Sequence, residues 1–289
     1  MDVSRIVGSL IVIIVVVLLL KYLYAWLNGT ADAEDVLIYS PSGNGLVANN
    51  SQRVISVSTP GIDGSSPPQI YGGGEFSMST WVYINNWSYA TNFNKVFLTM
   101  SSNGGTSTNT LVMYLGQSSN TLSVRIASSG TDGTQLTPTD MNAINTTLGG
   151  AGGIYDNSTN LQICDIDSKS IDLQRWVNIT TVVSGRTVDV YINGKLTRSC
   201  VLPGIYTIES GYNTTVTLGG GGAGAKGFGG YIGQTRMANF AYSPDFVYTN
   251  YLKGPVQMSM IGQLLGMLGI NVSATMPHVP VPHVAVTWT

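Results

Sequence analysis

The chain has 289 residues, a formal net charge of −2 and only 10% charged residues. This charged fraction is well below the roughly 25% of an ordinary globular domain, and Gly, Ser, Thr and Asn replace the missing charges. Without a basic stripe, the composition gives no reason to expect nucleic-acid binding, and two cysteines with two distant histidines do not make a zinc site.

Residues 1–5 form a short polar N-terminal tail, and residues 6–27 are predicted to be a transmembrane helix. The stretch from Ile6 to Leu20 is almost purely aliphatic, and the whole segment matches the ~20 residues that cross a bilayer as a helix. Its last turns carry two tyrosines and a tryptophan, placed as an aromatic belt at the headgroups. Membrane lipid is therefore the first predicted partner, through residues 6–27.

A cleaved signal peptide is the alternative for this segment, with Ala31-Asp-Ala33 as the cleavage site. That site lies farther beyond Leu20 than an ordinary signal peptide allows, so the sequence favours an uncleaved anchor. Arg5 and Lys21 flank the segment almost symmetrically, which leaves its orientation in the membrane open.

Residues 28–35 are predicted to be a linker, and residues 36–253 a β-sandwich. Short runs rich in Val, Ile, Thr and aromatic residues are separated by Gly, Ser and Pro turns at the spacing typical of a sandwich. The long polar stretch 128–160 is predicted to be an insertion of loops. The predicted strands span 36–39, 53–57, 75–84, 95–100, 110–115, 121–127, 161–166, 176–183, 187–192 and 214–218, with further strands starting at 195 and 230.

The clearest local signal is the hairpin around Asn193-Gly194, the dipeptide that favours a type I′ turn. Val188, Val190 and Ile192 alternate with polar residues, so one face of this strand is expected to be buried. A two-residue loop fixes the register, and the prediction places Asp189 opposite Arg198 and Thr187 opposite Cys200.

Three segments carry a family resemblance. The run V-D-V-Y-I-N-G-K-L at 188–196 resembles the central hairpin of laminin-G-like domains, residues 76–84 resemble an early inner strand, and residues 230–243 resemble the closing strand and the turn after it. The resemblance implies an all-β, concanavalin A-like (laminin-G-like) jelly-roll sandwich with an N-terminal transmembrane helix. It specifies function poorly, because this fold hosts lectins, adhesion modules, glycosidases and structural proteins.

Cys164 and Cys200 are the only cysteines. Both lie beside the central hairpin, and two strands that bring their faces together could form a disulfide. Two unrelated buried thiols are the alternative. The surrounding wording, C-D-I, D-L-Q-R-W-V-N-I and R-S-C-V-L-P-G, resembles membrane-anchored virion proteins of large DNA viruses of algae and amoebae, in which a matching cysteine pair flanks the same tryptophan-containing strand.

No catalytic pattern is present in the sandwich. Glycosidases of this fold use a Glu-x-Asp-x-x-Glu strand, and the only comparable stretch here is Asp165-Ile-Asp167. The sequence therefore predicts that the protein is not an enzyme and has no cofactor. Calcium binding with help from these two aspartates stays an open alternative to solvated loop acids. By residue type, Trp87, Tyr89 and Tyr155 are candidates for glycan contact, with burial in the core as the alternative.

Asn-x-Ser/Thr sequons make the protein a candidate glycoprotein if it enters the secretory path. The possible acceptors are Asn28, Asn49, Asn86, Asn145, Asn157, Asn213 and Asn271. A further sequon at Asn178 falls inside a strand and is predicted to be unused.

Residues 254–289 are predicted to be a methionine- and proline-rich tail that gains order against a partner; a frayed terminus is the alternative. The viral resemblance implies a non-enzymatic structural protein, a minor capsid or virion component that links the internal membrane to other capsid or virion proteins. A membrane-anchored lectin or adhesion protein that binds glycans is the alternative.

Overall fold

The computed structural model describes residues 34–41, 47–48, 52–70, 74–89, 91, 93–102, 108–116, 119–129, 162–202, 204–206, 208, 214–220 and 227–256, with residues 15, 16 and 19. For residues 47–48, 102, 108 and 162–170 only the backbone is described. The predicted insertion beyond residue 129 and the tail beyond residue 256 lie outside these ranges. So does the predicted membrane segment, apart from residues 15, 16 and 19.

Thirteen β-strands and one α-helix make up the described part of the chain. The strands are β1 (Asp35–Tyr39), β2 (Val47–Ala48), β3 (Arg53–Ile55), β4 (Phe76–Asn86), β5 (Lys95–Ser102), β6 (Thr108–Leu115), β7 (Thr121–Ile126), β8 (Gln162–Ser170), β9 (Trp176–Ser184), β10 (Thr187–Ile192), β11 (Lys195–Val201), β12 (Thr215–Leu218) and β13 (Gly229–Ala238). The helix, α1, spans Pro244–Leu252, and a short 3-10 turn spans Ile62–Gly64.

The strands form two antiparallel sheets packed face to face. The first has seven strands in the order β1-β13-β4-β9-β10-β11, with β2 also paired to β13, and the second has six in the order β3-β12-β5-β6-β7-β8. Alternate residues of every central strand point into one shared apolar core, which includes Phe76, Ile179, Val190, Leu111 and Val216. The predicted all-β sandwich is thus confirmed, and the predicted strand positions match to within a few residues.

Each sheet also has an outer face, away from this core. On the seven-stranded sheet, the outer residues Val182, Tyr191 and Ala238 form a second apolar cluster with Tyr242 and with Val247 of α1. We call this side the helix face. On the six-stranded sheet, Thr217, Thr99, Val112 and Arg125 are directly paired across four strands; we call this side the threonine face.

The predicted register of the central hairpin is correct at the turn and wrong beyond it. Ile192 pairs with Lys195 and Tyr191 with Leu196, but a β-bulge at Thr197 then shifts the pairing by one residue. Asp189 therefore lies opposite Ser199 instead of Arg198, and Val188 opposite Cys200. Because Val188 faces the core, the bulge turns Cys200 inward, and its side chain is only 8% exposed.

Helix α1 was not predicted, although the sequence carries its start signal. Ser243 is the N-cap, and its hydroxyl accepts a hydrogen bond from the Phe246 amide over 3.3 Å, with proline in the first turn. The helix is short, and its weakly periodic sequence gives little amphipathic signal. Among the residues that the structure describes, no helix is both long and apolar enough to cross a membrane.

Candidate functional site

The last two residues of the predicted linker, Glu34 and Asp35, are held at the end of β13, and Asp35 already belongs to β1. The amide of Glu34 donates to Asn239 Oδ1 over 2.9 Å, and the amide of Asn239 donates back to the Glu34 carbonyl over 3.3 Å. These two residues are 205 positions apart in the chain. The reciprocal pair closes the junction between the linker and the sandwich.

Asp35, the next residue, is fixed by two further side chains. Arg236 Nη2 donates to Asp35 Oδ2 over 3.0 Å, and the Tyr242 hydroxyl donates to Asp35 Oδ1 over 2.6 Å. Burial, followed by the negative charge of Asp35, raises the pKa of Tyr242 well above its usual range. We refer to Glu34, Asp35, Arg236, Asn239 and Tyr242 as the N-terminal clamp.

The helix face is built from aromatic rings that α1 lays over the sheet. The Tyr251 ring stacks on Trp81 of β4 with a centroid separation of 5.5 Å and an interplanar angle of 18°. Tyr242 packs against Phe246 at 4.6 Å, and the Tyr242 amide donates to Ser77 Oγ over 2.8 Å. Offset and edge-on ring pairs of this kind add stability beyond the apolar area they bury, so α1 is firmly seated.

The end of the sandwich is tied to the same strand as its beginning. The amide of Gln234 in β13 donates to the Pro255 carbonyl over 2.8 Å. A side chain at the neighbouring Gly233 would lie 2.7 Å from that carbonyl and 2.8 Å from the Trp81 Cβ, so only glycine fits between them. The chain therefore leaves the sandwich beside β13, on the helix face.

Under α1, a buried polar network joins β4 to β9. Asn178 Nδ2 donates to Ser79 Oγ over 3.2 Å, and the Thr180 hydroxyl lies within hydrogen-bond reach of both Ser79 Oγ (2.9 Å) and Asn178 Oδ1 (3.1 Å). The Asn178 side chain is 1% exposed. The structure thus buries the sequon that was predicted to be unused.

Of the other predicted sequons, only Asn86 is described. It lies exposed at the end of β4, and its Oδ1 accepts a hydrogen bond from the Ser88 amide over 3.0 Å. Asn28, Asn49, Asn145, Asn157, Asn213 and Asn271 lie outside the described residues.

The aromatic residues proposed for glycan contact have different surroundings. Trp87 is partly buried against the core, and Lys95 Nζ lies 4.3 Å from the centroid of its ring, a cation–π arrangement. Burial lowers the pKa of Lys95. Tyr89 is half-buried in the turn after β4, while Tyr155 lies outside the described residues. Of the three candidates, the structure thus places Trp87 and Tyr89, both half-buried.

The two cysteines lie on strands at the edges of different sheets. Cys164 is in β8, where its backbone pairs with Val124, and Cys200 is in β11. Strands β8 and β11 run close to each other where the two sheets meet. The described residues include no free cysteine. The Cys164–Cys200 disulfide stays a prediction. The structure locates the two cysteines on neighbouring strands.

Several acidic side chains have structural partners in the described part of the chain. Beyond Asp35, the Ser184 hydroxyl donates to Glu75 over 2.7 Å, and Asp172 forms an exposed ion pair with Arg175 at 3.3 Å. No group of three metal-binding side chains occurs among the described residues. The backbone of Asp165 in β8 pairs with Ser123 in β7, and the calcium alternative at Asp165 and Asp167 stays a prediction.

Two antiparallel sheets enclosing one core, with the early strand β4 beside the late strand β13, define the concanavalin A-like class of sandwiches. The family described as the concanavalin A-like lectin/glucanases superfamily matches residues 61–247, more than half of the chain. The protein belongs to this superfamily. No curated protein sequence matches the chain.

Solved structures with a similar fold are distant in sequence. They include the binding domain of Paraclostridial Mosquitocidal Protein 1 (12% identity, TM-score 0.42, 76% of this chain and 47% of the other). The botulinum neurotoxin serotype G binding domain gives 15% identity, a TM-score of 0.41 and coverages of 76% and 46%. A putative carbohydrate-binding protein from Bacteroides ovatus gives 12%, 0.42, 74% and 47%. The chain spans about half the length of these structures.

Proposed function

We propose that the protein is a non-enzymatic structural component of a virus particle, a minor capsid or virion protein anchored in an internal membrane. In this proposal residues 6–27 lie in the bilayer, the sandwich stands beside it, and the tail from residue 257 onward binds a neighbouring capsid or virion protein. The resemblance in the hairpin and cysteine segments motivates the viral assignment.

The observation that best supports a tether between the membrane and the sandwich is the N-terminal clamp. Any pull on a membrane anchor reaches the sandwich at Glu34. There, two hydrogen bonds join Glu34 to Asn239, and two more join Asp35 to Arg236 and Tyr242. Charge-assisted bonds such as the one from Arg236 are roughly twice as strong as neutral ones. A freely hanging linker would need no such attachment, whereas a tether that holds a domain in place does.

Alkaline extraction of membranes from cells that express the full chain tests the anchor. The full chain is expected to stay with the lipid pellet, because about 20 apolar residues insert almost irreversibly. The matched control lacks residues 6–27 and is expected in the supernatant as a folded sandwich. Release of the full chain by alkali would overturn the proposal.

The virion assignment is tested in purified particles. Quantitative mass spectrometry is expected to recover the protein in constant ratio to the major capsid protein, and to keep it after the outer layer is stripped. A variant without residues 257–289 retains the Pro255 contact to β13, so it should fold and insert into membrane but enter particles less efficiently. Normal incorporation of that variant would remove the proposed role of the tail.

A membrane-anchored lectin or adhesion protein is the second candidate, favoured by membership of a superfamily that includes lectins. The half-buried Trp87 has an apolar ring surface and a nearby cation, Lys95, over its ring. A glycan array probed with the detergent-solubilised full chain separates the two candidates. Specific sugar binding that Trp87→Ala abolishes would favour the lectin.

A further inference from the structure

The helix face carries a group of exposed apolar side chains that are not part of the buried core. Tyr248 and Leu252 lie four residues apart on the same side of α1, 47% and 63% exposed. Leu196 pairs with the outward-facing Tyr191 and is 56% exposed, and Val201 pairs with Thr187 and is 62% exposed. These four residues, the apolar patch, all lie on the helix face.

The patch is continuous between α1 and the central hairpin. A Cβ built on Gly194 would lie 3.1 Å from the Tyr248 ring and 3.2 Å from Tyr251, so the helix rests directly on the Asn193–Gly194 turn. Leu196 follows this turn by two residues. Tyr248 and Leu196 therefore lie close together at this turn, while Val201 lies on the same face at the other end of β11.

Both ends of the sandwich open onto this side. The N-terminal clamp holds Asp35 opposite Ala238, with the Asp35 carboxylate bonded to Tyr242 of the helix face. Pro255 is bonded to Gln234. The two attachment points are four residues apart on β13, a distance of about 13 Å along the strand.

The short connection to the predicted anchor limits where the sandwich can be. Residues 28–33 are six residues, which span at most about 20 Å when fully extended. This length is less than the width of a sandwich with a helix on one face, so the side that holds Glu34 must lie close to the bilayer.

We propose that the helix face is a lipid-contacting surface, with the apolar patch resting on the headgroup region of the membrane that holds the anchor. This inference rests on the proposed membrane anchor. Tyrosine and leucine side chains on a helix that lies flat suit the boundary between headgroups and acyl chains. Lys253, exposed at the end of α1, adds a cation where anionic lipids would attract it.

Photo-crosslinking of the full chain in lipid nanodiscs tests the proposal. A photoreactive phenylalanine analogue replaces Tyr248, Leu196 or, as a control, Val54, which is 39% exposed and paired with Thr217 on the opposite sheet. Mass spectrometry is expected to find lipid adducts at Tyr248 and Leu196 several-fold more often than at Val54. Flotation of the same samples reports separately whether the chain is anchored.

The outcomes are distinct. A chain that floats but gives equal lipid adducts at all three positions overturns the lipid-contacting face and leaves the anchor intact. Adducts at Tyr248 that join two protein chains assign the patch to a second copy instead. A chain that does not float contradicts the proposed function itself.

Discussion

The seven-stranded sheet carries a helix and aromatic rings on its outer face, whereas the outer face of the six-stranded sheet carries a row of directly paired residues that begins with two threonines, Thr217 and Thr99. Thr99 and Thr217 on the threonine face are nevertheless 4% and 5% exposed, about as buried as Val182 on the helix face at 5%. Alternation of polar and apolar residues therefore indicates which side of a strand a residue occupies, but not whether that side meets water.

The two faces also differ in how their buried hydroxyls are satisfied. On the helix face Thr180 is bonded to Ser79 and Asn178. On the threonine face the Thr215 hydroxyl has no hydrogen-bond partner among the described residues. Since a buried hydroxyl without a partner costs free energy, the two faces should respond in opposite ways to the same substitution.

The largest expected effect is on the helix face. Trp81→Ala removes the ring on which Tyr251 stacks and should lower the free energy of unfolding by about 3–5 kcal/mol, the usual cost of truncating a large buried aromatic. Urea unfolding of the full chain in detergent micelles measures it. The control Leu252→Ala, on the exposed side of α1, should change stability by no more than about 0.5 kcal/mol. Equal losses in both variants would contradict the seating of α1 on Trp81.

The second prediction concerns the place where the two sheets meet. If Cys164 and Cys200 are bonded, their disulfide closes a loop of about 36 residues and contributes roughly 3–4 kcal/mol in the chain-entropy model. Non-reducing peptide mapping should recover one peptide that contains both cysteines. The double variant C164A/C200A should be insensitive to reductant, and two free thiols in the native protein would show that the prediction is wrong.

The third prediction tests the N-terminal clamp. Tyr242→Phe removes the hydroxyl that donates to Asp35 and should cost about 1–3 kcal/mol at neutral pH, since the Asp35 carboxylate loses a buried donor. Tyr248→Phe, which alters an exposed hydroxyl, is the control and should change little.

The same variant changes the dependence of stability on alkaline pH. Because the pKa of Tyr242 is raised by folding, the unfolded chain loses this proton above pH about 10 while the folded chain keeps it, and the free energy of unfolding falls as pH rises. One such group contributes about 1.4 kcal/mol per pH unit. Tyr242→Phe should therefore unfold with a shallower slope above pH about 10, and an unchanged slope would count against the clamp.

The smallest effect compares the two faces directly. Thr180→Val should destabilise the protein by about 1–2 kcal/mol, because Ser79 and Asn178 lose a buried partner. Thr215→Val replaces a hydroxyl without a described partner by a methyl group and should be neutral or stabilising by up to about 1 kcal/mol. Both side chains are 1% exposed. The difference in stability between the two variants, measured by thermal unfolding, therefore reports the effect of hydrogen bonding at equal burial. Equal destabilisation by the two substitutions would show that the Thr180 and Thr215 hydroxyls are equally well hydrogen-bonded.

The sequence predicted the sandwich because its signals are local. Asn193-Gly194 fixes a turn, and the alternation of Val188 and Val190 fixes the buried side of β10. The bulge at Thr197 was not predicted, since it depends on how β11 meets its surroundings. The N-terminal clamp joins Asp35 to Arg236 across 201 positions, and no short-range pattern reports a contact of that separation. Only α1 was missed despite a readable signal, the Ser243-Pro244 start.

The bulge at Thr197 also affects whether neighbouring copies of the protein can pair through their edge strands. Beta11 is the last strand of its sheet, and an open strand of this kind is a template on which another chain can add by backbone pairing. The extra residue breaks the regular spacing of the backbone amides and carbonyls of β11, and exposed Lys195 and Arg198 place like charges along the strand. In a densely packed layer of identical molecules, these features would disfavour backbone pairing between the β11 edges of neighbouring sandwiches.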